Sequence, residues 1–303
     1  MVYMAPPRKN KTYVEDVCGK ILEINPAVVL TYHQGYENSF IFADFIRTRY
    51  PLVYQQTNRF QLPDFKADLY LSCASDIDFA RQAFPEAEKW QYQQTGFTPF
   101  KQHAVYTRDE LGMGQNCLVL VTVGNRLQSE VGRLMLEAML QLASTDIHFE
   151  WWLLGIADAD KINAFHELAV EDREKLRRVM RFRPFKVHLR AFYQHVDIYV
   201  NPRRAGGGFS IMSAISEGIP VVSFVATDVD NASAGYFVKD DAEYVSLLMK
   251  LARSRDERLR IGREMQEVAR STYDSRKAAR AFLDAFRLAK ERHINQRRSV
   301  EVA

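Results

Sequence analysis

Apolar and polar positions follow two patterns along the chain, and the patterns alternate. Continuous apolar runs at 118–123 (LVLVTV) and 149–154 (FEWWLL) predict central strands of a parallel sheet, buried on both faces. Between such runs, apolar residues recur every three or four positions, which predicts amphipathic helices. The second half of the chain therefore reads as a Rossmann-like α/β domain. Its other predicted strands are 179–183, 198–200, 221–224 and 236–238, and its predicted helices are 129–142, 160–168, 173–180, 188–195, 240–254, 256–271 and 275–292.

The first half shows the same alternation in shorter blocks, typical of part of a doubly wound domain. Residues 86–106 carry Gly96 and Pro99 and read as a linker. Thr107 with Glu110 three residues later predicts a helix start with a capping box. We therefore expect an α/β chain of two Rossmann-like domains, 1–105 and 106–290. In the first half the predicted helices are 12–24, 40–47 and 75–83, and the predicted strands are 27–32, 51–54 and 68–72.

Composition narrows the class without naming a function. A chain of 303 residues has room for two ordinary domains. Its net charge of +3, with basic and acidic residues interspersed, gives no indication of nucleic acid as a partner. The cysteines, Cys18, Cys73 and Cys117, are scattered, which argues against disulfides or a structural zinc site and favours the cytoplasm. No apolar run approaches the ~20 residues of a transmembrane helix.

The segment 197–224, DIYVNPRRAGGGFSIMSAISEGIPVVSF, carries the clearest candidate chemistry: strand, glycine loop, helix, strand. Glycines allow a backbone to approach a ligand closely, and the first turn of the helix offers unpaired N–H groups and the positive end of a dipole. Two arginines and a serine stand beside it, so the loop suits a phosphate or diphosphate. The alternative interpretation of the same sequence is a tight turn with two solvated arginines. The candidate residues are Arg203, Arg204, Gly206, Gly207, Gly208, Phe209 and Ser210.

A second strand-to-helix turn, Gly124-Asn125-Arg126, also combines glycine with arginine. Because the βα turns of a parallel sheet share one edge, Arg126 is a second diphosphate candidate. The alternative is a surface salt bridge between Arg126 and Glu130. Lys186 and His188 lie in another loop that could flank the same site.

In the first half, His33 follows a predicted strand and stands beside Gly35. A general base or a hydrogen-bond donor would lie at such a strand end. A histidine that only hydrogen-bonds its own loop fits equally well. Gln34 and Asn38 leave the same two alternatives open.

Two of these blocks together resemble a known family. NPRRAGGGFSIMSAISEGIPVVSF, from residue 201, resembles the diphosphate-binding unit of nucleotide-sugar glycosyltransferases with the GT-B fold. LVLVTVGNRLQSE, from residue 118, followed by WWLLG resembles the first strands of their C-terminal domain. The resemblance covers roughly 105–290 well and 27–85 loosely. It implies two Rossmann-like domains facing across a cleft, with the last helix, 275–292, crossing back to the first.

The resemblance also implies roles for the residues. A nucleoside-diphosphate sugar would bind the second domain, with its nucleoside near Gly124, Asn125, Lys186, His188 and Ser213. A glycan, polysaccharide or protein acceptor would bind the first, on the side of Gln34, Gly35 and Asn38. If the reaction inverts the sugar, His33 is the expected base. No Asp-x-Asp motif follows a strand in the donor half, so a metal-independent hexosyl transfer without a cofactor is expected.

Departures from the family pattern leave a second reading open. Retaining members carry two glutamates eight positions apart, and Ala205 and Ser213 stand in those places here. A lysine expected one turn after Arg126 is missing, and Glu130 stands near its place. The first domain is short for the family, so we expect a fragment or a partner chain that completes it. The alternative function is a non-catalytic subunit that binds a nucleotide sugar or supports a partner enzyme. A nucleotide-sugar epimerase lacks a convincing acidic pair, and the fingerprint of a dinucleotide dehydrogenase is missing.

Overall fold

The computed structural model of the chain describes residues 13–31, 39–56, 63, 65–72, 77–83, 86–93, 96–98, 105–183, 188–204, 207–225 and 229–301. Its strands are β1 Val29–Thr31, β2 Leu52–Gln56, β3 Leu69–Ser72, β4 Trp90–Tyr92, β5 Leu118–Val123, β6 Phe149–Leu154, β7 Met180–Arg183, β8 Ile198–Val200 and β9 Val221–Val222. Its α-helices are α1 Tyr13–Ile24, α2 Ser39–Arg47, α3 Ile77–Ala83, α4 Arg108–Leu111, α5 Leu127–Glu130, α6 Arg133–Ala143, α7 Val170–Val179, α8 Leu189–Tyr193, α9 Gly208–Ser216, α10 Asp241–Arg253, α11 Arg255–Thr272 and α12 Ser275–Glu301.

The chain divides into two compact units. The first combines Met1–Gly96 with Ser275–Ala303, and the second is Phe97–Asp274. The first division falls before residue 105, where the composition shift suggested a boundary. Each unit is built on its own sheet, and all neighbouring strands within the sheets run parallel. The predicted α/β class with Rossmann-like units is therefore confirmed.

The sheet of the first unit has the order β1-β2-β3-β4 and is covered on both faces. Alternate residues of a strand point to opposite faces, so Leu52 and Tyr54 join one core and Val53 joins another. The first core packs against α2 and the second against Ala285 and Ala289 of α12. The long C-terminal helix thus completes the layer structure of the first unit.

The sheet of the second unit has the order β7-β6-β5-β8-β9. The chain starts in the middle at β5, moves outward through β6 to β7, and returns to the other side of β5 at β8. This is the doubly wound order, and its topological switch point lies between β5 and β8. All side chains of β5, β6 and β8 are buried, as their continuous apolar runs predicted.

Several helix ends follow from capping residues visible in the sequence. Thr107 and Glu110 form the predicted capping box at the start of α4, and Gly112 ends that helix with a left-handed φ of 71°. Asp240 caps α10 through a hydrogen bond from the Glu243 backbone N–H.

Four predictions of local structure were wrong. The helix expected over 129–142 is two helices, since the chain adopts extended backbone at Gly132 between α5 and α6. The helix expected over 160–168 is two 3₁₀ segments. Residues 90–92, read as linker, pair with β3 as β4. The strand expected at 236–238 contributes only a single bridge, Phe224 to Val238.

Among the described residues, no helix is both long enough and apolar enough to cross a membrane.

Candidate active site at the carboxyl edge of the second sheet

The two glycine turns meet at the switch point of the second sheet. Gly124 follows β5 directly, and the 201–208 loop follows its neighbour β8. In open α/β sheets ligands bind outside the carboxyl ends of the strands at this point. The strand order therefore brings together the two segments that the sequence singled out separately.

Arg204 lies in the centre of this edge, and its side chain is only 5% exposed. Its guanidinium donates to the Asn201 Oδ1 at 3.0 Å, to the Val123 carbonyl at 2.8 Å and to the Glu130 carboxylate at 2.8 Å. A further bond of 3.3 Å reaches the Tyr199 hydroxyl. The fork of an arginine can make such bonds in several directions at once. Arg204 thus ties the end of β5 to the end of β8 and is not presented to solvent.

The glycines of the two turns make room for this guanidinium. Gly207 has a φ of 82°, and a Cβ there would lie 2.6 Å from Nε of Arg204. A Cβ on Gly124 would lie 2.5 Å from an Nη atom of the same arginine. A side chain at either position would therefore displace the Arg204 guanidinium from its hydrogen bonds.

The first turn of α9 is fixed by buried tyrosines. The Tyr199 hydroxyl lies 2.9 Å from Oγ of Ser210, and the Tyr193 hydroxyl donates to the Ser210 carbonyl at 3.1 Å. Burial raises the pKa of both Tyr193 and Tyr199, so their phenols stay neutral hydrogen-bonding groups. The Ser210 hydroxyl also donates to the Gly207 carbonyl at 2.9 Å. A hydrogen bond from Ser210 to a ligand, as predicted from the sequence, would have to replace this internal bond.

Glu130 joins the two turns electrostatically. One carboxylate oxygen accepts from Arg204 and the other lies 2.9 Å from Arg126, four residues earlier. The Glu130 side chain is 10% exposed, whereas that of Arg126 is 63% exposed. The salt bridge weighed against a diphosphate role for Arg126 is thus present. Because exposed i,i+4 pairs contribute little free energy, Arg126 can exchange Glu130 for another anion.

Arg203 points in a different direction from Arg204. Its side chain is 61% exposed and pairs with the equally exposed Asp241 at 2.5 Å. Its guanidinium carbon lies 4.1 Å from the centroid of the Phe224 ring, which stacks on Tyr244. Arg203 is therefore held beside the end of β9, with its charge accessible to solvent.

The N-terminus of α9 has no side-chain cap. Its N-cap residue is Gly207, which lacks a side chain to bond the first backbone N–H groups. Gly208 is buried and Phe209 is 56% exposed. The Phe209 ring meets Phe97 edge-on at 5.4 Å. A helix start without a side-chain cap, beside exposed arginine, is suited to bind an anion.

The proposed nucleoside residues have mixed surroundings. Asn125 and His188 are exposed, and the His188 ring stacks 6.5 Å from Tyr106. Ser213 is 5% exposed, and its hydroxyl donates to the Phe209 carbonyl at 2.8 Å within α9. Ser213 as a partner of the nucleoside stays a prediction.

Other predicted residues lie outside the described part of the chain, and their roles stay predictions. They are the expected base His33, the acceptor-side residues Gln34, Gly35 and Asn38, the donor-side residues Lys186 and Gly206, and the substituted position Ala205.

Sequence reasoning missed the network around Arg204. Tyr199 and Asn201 were interpreted only as parts of a strand and its end. Glu130 was interpreted only as a surface partner of Arg126 and as the residue near the place of an expected lysine. One signal was available: two neighbouring βα turns held three arginines and no acidic residue. A buried arginine needs a carboxylate, and Glu130 follows directly after the first of these turns.

No cluster of three or more potential metal ligands occurs among the residues that the structure describes.

Comparisons with known proteins show what the chain is similar to. Residues 117–254 match the family described as Glycosyl transferases group 1. A glycosyltransferase from Rickettsia africae superposes with a TM-score of 0.69 at 14% identity, covering 95% of this chain and 84% of that one. HepE from Anabaena, solved with UDP-glucose, gives a TM-score of 0.65 at 14% identity, covering 99% and 85%. Sucrose-phosphate synthase from Thermosynechococcus elongatus gives 0.64 at 14% identity, covering 94% and 80%.

A search of curated protein sequences gave no match. The fold is the GT-B fold of glycosyltransferases, and the resemblance drawn from the two sequence blocks is confirmed. The family match over the second unit supports glycosyl transfer as the general activity.

Proposed function

We propose that the chain transfers a sugar from a nucleoside-diphosphate sugar to a glycan, polysaccharide or protein acceptor. One observation carries this proposal: the α9 N-terminus, free of any side-chain cap, lies at the switch point where Arg126 is exposed. An anion at this place would contact backbone N–H groups together with the permanent positive charge of Arg126. The complex of HepE with UDP-glucose, of the same fold, supports the choice of donor.

The chemistry required of this site is stabilisation of a leaving group. As the bond between the anomeric carbon and the diphosphate oxygen breaks, negative charge grows on that oxygen. Groups fixed before the reaction stabilise such charge most effectively. In this account the α9 N-terminus and the loop at 206–208 bind the diphosphate, and Arg126 moves from Glu130 to it.

Arg204 has a different role in this account. Its guanidinium is already bonded to Glu130, Asn201 and the Val123 carbonyl, so it orients the loop and does not bind the ligand directly. Arg203, exposed beside β9, is another cation that solvent can reach. The sequence suggested a diphosphate role for both Arg203 and Arg204. In this account Arg203 and Arg126 contact the diphosphate, and Arg204 does not.

The remaining parts of the proposal rest on the sequence. The acceptor oxygen forms the new bond to the anomeric carbon and loses its proton, for which His33 is the proposed base if the sugar inverts. The reaction is proposed to need no metal. A cytoplasmic location is proposed from the scattered cysteines.

Calorimetric titration with UDP, GDP, dTDP and CDP tests the donor site. We expect one of the four to bind, followed by consumption of the matching sugar donor in the presence of a glycan acceptor. Absence of binding by all four would contradict the proposal.

A non-catalytic subunit of the same fold is the second candidate. Glu130 neutralises part of the positive charge at the site, and the Ser213 hydroxyl is bonded within its own helix. Binding of a nucleoside diphosphate without consumption of any sugar donor would favour this candidate.

A further inference from the structure

The outward face of α12 is strongly basic. This helix has 27 residues, with eight basic and three acidic side chains, a net charge of +5. The whole chain carries only +3, so the rest of the molecule is slightly acidic. Charge of one sign is therefore concentrated on a single helix of the first unit.

The positions of these cations follow the helical repeat. Ala285 and Ala289 point inward against the first sheet. Successive basic residues on the opposite side lie three, four or seven positions apart, except for one adjacent pair at the end, and all are exposed over about 33 Å at 1.5 Å per residue. They form a face that we call the basic face: Arg276, Arg280, Arg287, Lys290, Arg297 and Arg298.

Two exposed aliphatic side chains lie within the same face. Leu283 is 55% exposed and Ile294 is 39% exposed, and their spacing places them in line with the cations. Exposed aliphatic groups gain nothing from phosphates in water, but they gain free energy when inserted among lipid chains.

The helix that precedes α12 in the sequence, α11 of the second unit, has a charged surface on which cations and acids pair. In α11, Arg260 pairs with both Glu257 and Glu264, and Glu257 also accepts from Lys250. On the basic face, Arg287 pairs with Asp284, and both side chains are at least 70% exposed. With three acidic side chains against eight basic ones, α12 carries too few acids to balance its own charge.

We propose that the basic face is a docking surface for a bilayer containing anionic phospholipid. The arginines and Lys290 meet the headgroup phosphates, while Leu283 and Ile294 enter the boundary of the acyl chains. A basic amphipathic helix that lies in the interface binds in this way, through electrostatic attraction added to buried apolar area. The aliphatic pair favours lipid over a soluble polyanion.

Co-sedimentation of the full chain with vesicles tests the proposal. Vesicles of phosphatidylcholine with phosphatidylglycerol are compared with vesicles of phosphatidylcholine alone, at physiological ionic strength. We expect binding only to the anionic vesicles. The triple variant Arg280→Glu, Arg287→Glu, Lys290→Glu should weaken that binding at least about tenfold.

A matched triple variant controls for net charge. Arg178→Glu, Arg253→Glu and Arg270→Glu make the same charge change at exposed positions on three separate helices of the second unit. Because the proposal assigns lipid binding to α12 alone, this variant should keep most of the vesicle binding. Equal loss in both triple variants would overturn the proposal, since only overall charge would then matter.

The aliphatic pair separates lipid from other polyanions. Leu283→Ser with Ile294→Ser leaves the charge unchanged and should weaken vesicle binding several-fold while leaving heparin binding unaltered. Far-UV circular dichroism verifies that each variant is folded. Failure of the wild-type chain to bind anionic vesicles, or unchanged vesicle binding of the double serine variant, would overturn the proposal.

Discussion

Among the described residues, two buried ion clusters lie at opposite edges of their parallel sheets, one in each unit. In the first unit, Asp68 directly precedes β3 and is fully buried, at the amino edge. In the second unit, Arg204 follows β8 and pairs with Glu130 at the carboxyl edge. Ligands of open α/β sheets bind at the carboxyl edge.

The partners of the two clusters differ accordingly. Asp68 accepts from the Leu52 backbone N–H at 2.8 Å, and His293 of α12 lies 3.3 Å away. Its salt bridge with Arg47 is longer, at 3.7 Å. All these contacts join elements of the first unit to one another. The Glu130 cluster instead continues outward to Arg126, which is exposed. We infer that the first cluster stabilises the fold and that the second organises a ligand site.

Asp68→Ala should have the largest effect on stability. It leaves the Leu52 N–H and the buried His293 without their acceptor, and loss of one member of a buried ionic cluster costs about 3–5 kcal/mol. Urea denaturation would measure the free energy of unfolding. Asp284→Ala, at an exposed pair, should change it by less than about 0.5 kcal/mol. Loss of nucleotide affinity in the folded Asp68→Ala protein would contradict the claim that the first cluster only stabilises the fold.

Arg204→Met should cost about 3 kcal/mol, because Glu130 and the Val123 carbonyl lose a buried donor. Adding Glu130→Met should recover part of this loss, since a buried pair can be replaced by apolar groups at little cost. Arg204→Met should also abolish nucleotide binding, because the loop would no longer be oriented. The double variant should not recover that binding. Recovery of binding together with stability would contradict an orienting role for the ion pair.

Gly207→Ala and Gly235→Ala form a matched pair, since both glycines have a φ of 82°. A Cβ at Gly235 meets nothing within 4 Å, whereas one at Gly207 meets Arg204. Backbone strain alone should cost about 1 kcal/mol at Gly235. Thermal unfolding should show a larger loss at Gly207, by about 1 kcal/mol or more, with weakened nucleotide binding. Equal losses of stability in the two variants would mean that the Arg204 side chain moves aside for the new Cβ without cost.

Arg203→Ala and Asp241→Ala should have the smallest effects on stability. Their ion pair is exposed on both sides, so each change should stay within about 0.5 kcal/mol. Nucleotide affinity should separate them: it falls when Arg203 is removed and holds or rises when Asp241 is removed. Equal affinities in the two variants would remove Arg203 from the donor site.

Sequence patterns predicted the long buried strands better than the short or interrupted elements, for a physical reason. Continuous apolar runs such as 118–123 are buried on both faces, so their strands were placed correctly. Trp90–Tyr92 is short and ends in exposed Tyr92, and it lacks such a signal. The break at Gly132 was missed because the apolar repeat continues across it.

The candidate site shows the limit of reading segments one at a time. Glycine turns and the α9 start were visible as local patterns. Gly124 and Gly207 both lie against the Arg204 guanidinium because β5 and β8 are neighbours in the sheet. That adjacency is a property of the strand order and is not visible in either segment alone. No local pattern distinguishes Arg204, which is buried, from Arg203, which is exposed.

Nucleoside diphosphate titration of Arg126→Ala beside Arg133→Ala tests the central claim most directly. Both arginines pair with a glutamate four residues later, and their side chains are 63% and 65% exposed. Only Arg126 lies at the switch point. We predict at least about tenfold weaker binding for Arg126→Ala, as expected for a lost charge-assisted contact, and wild-type affinity for Arg133→Ala. Equal affinity of the two variants would contradict a nucleotide site at the carboxyl edge of the second sheet.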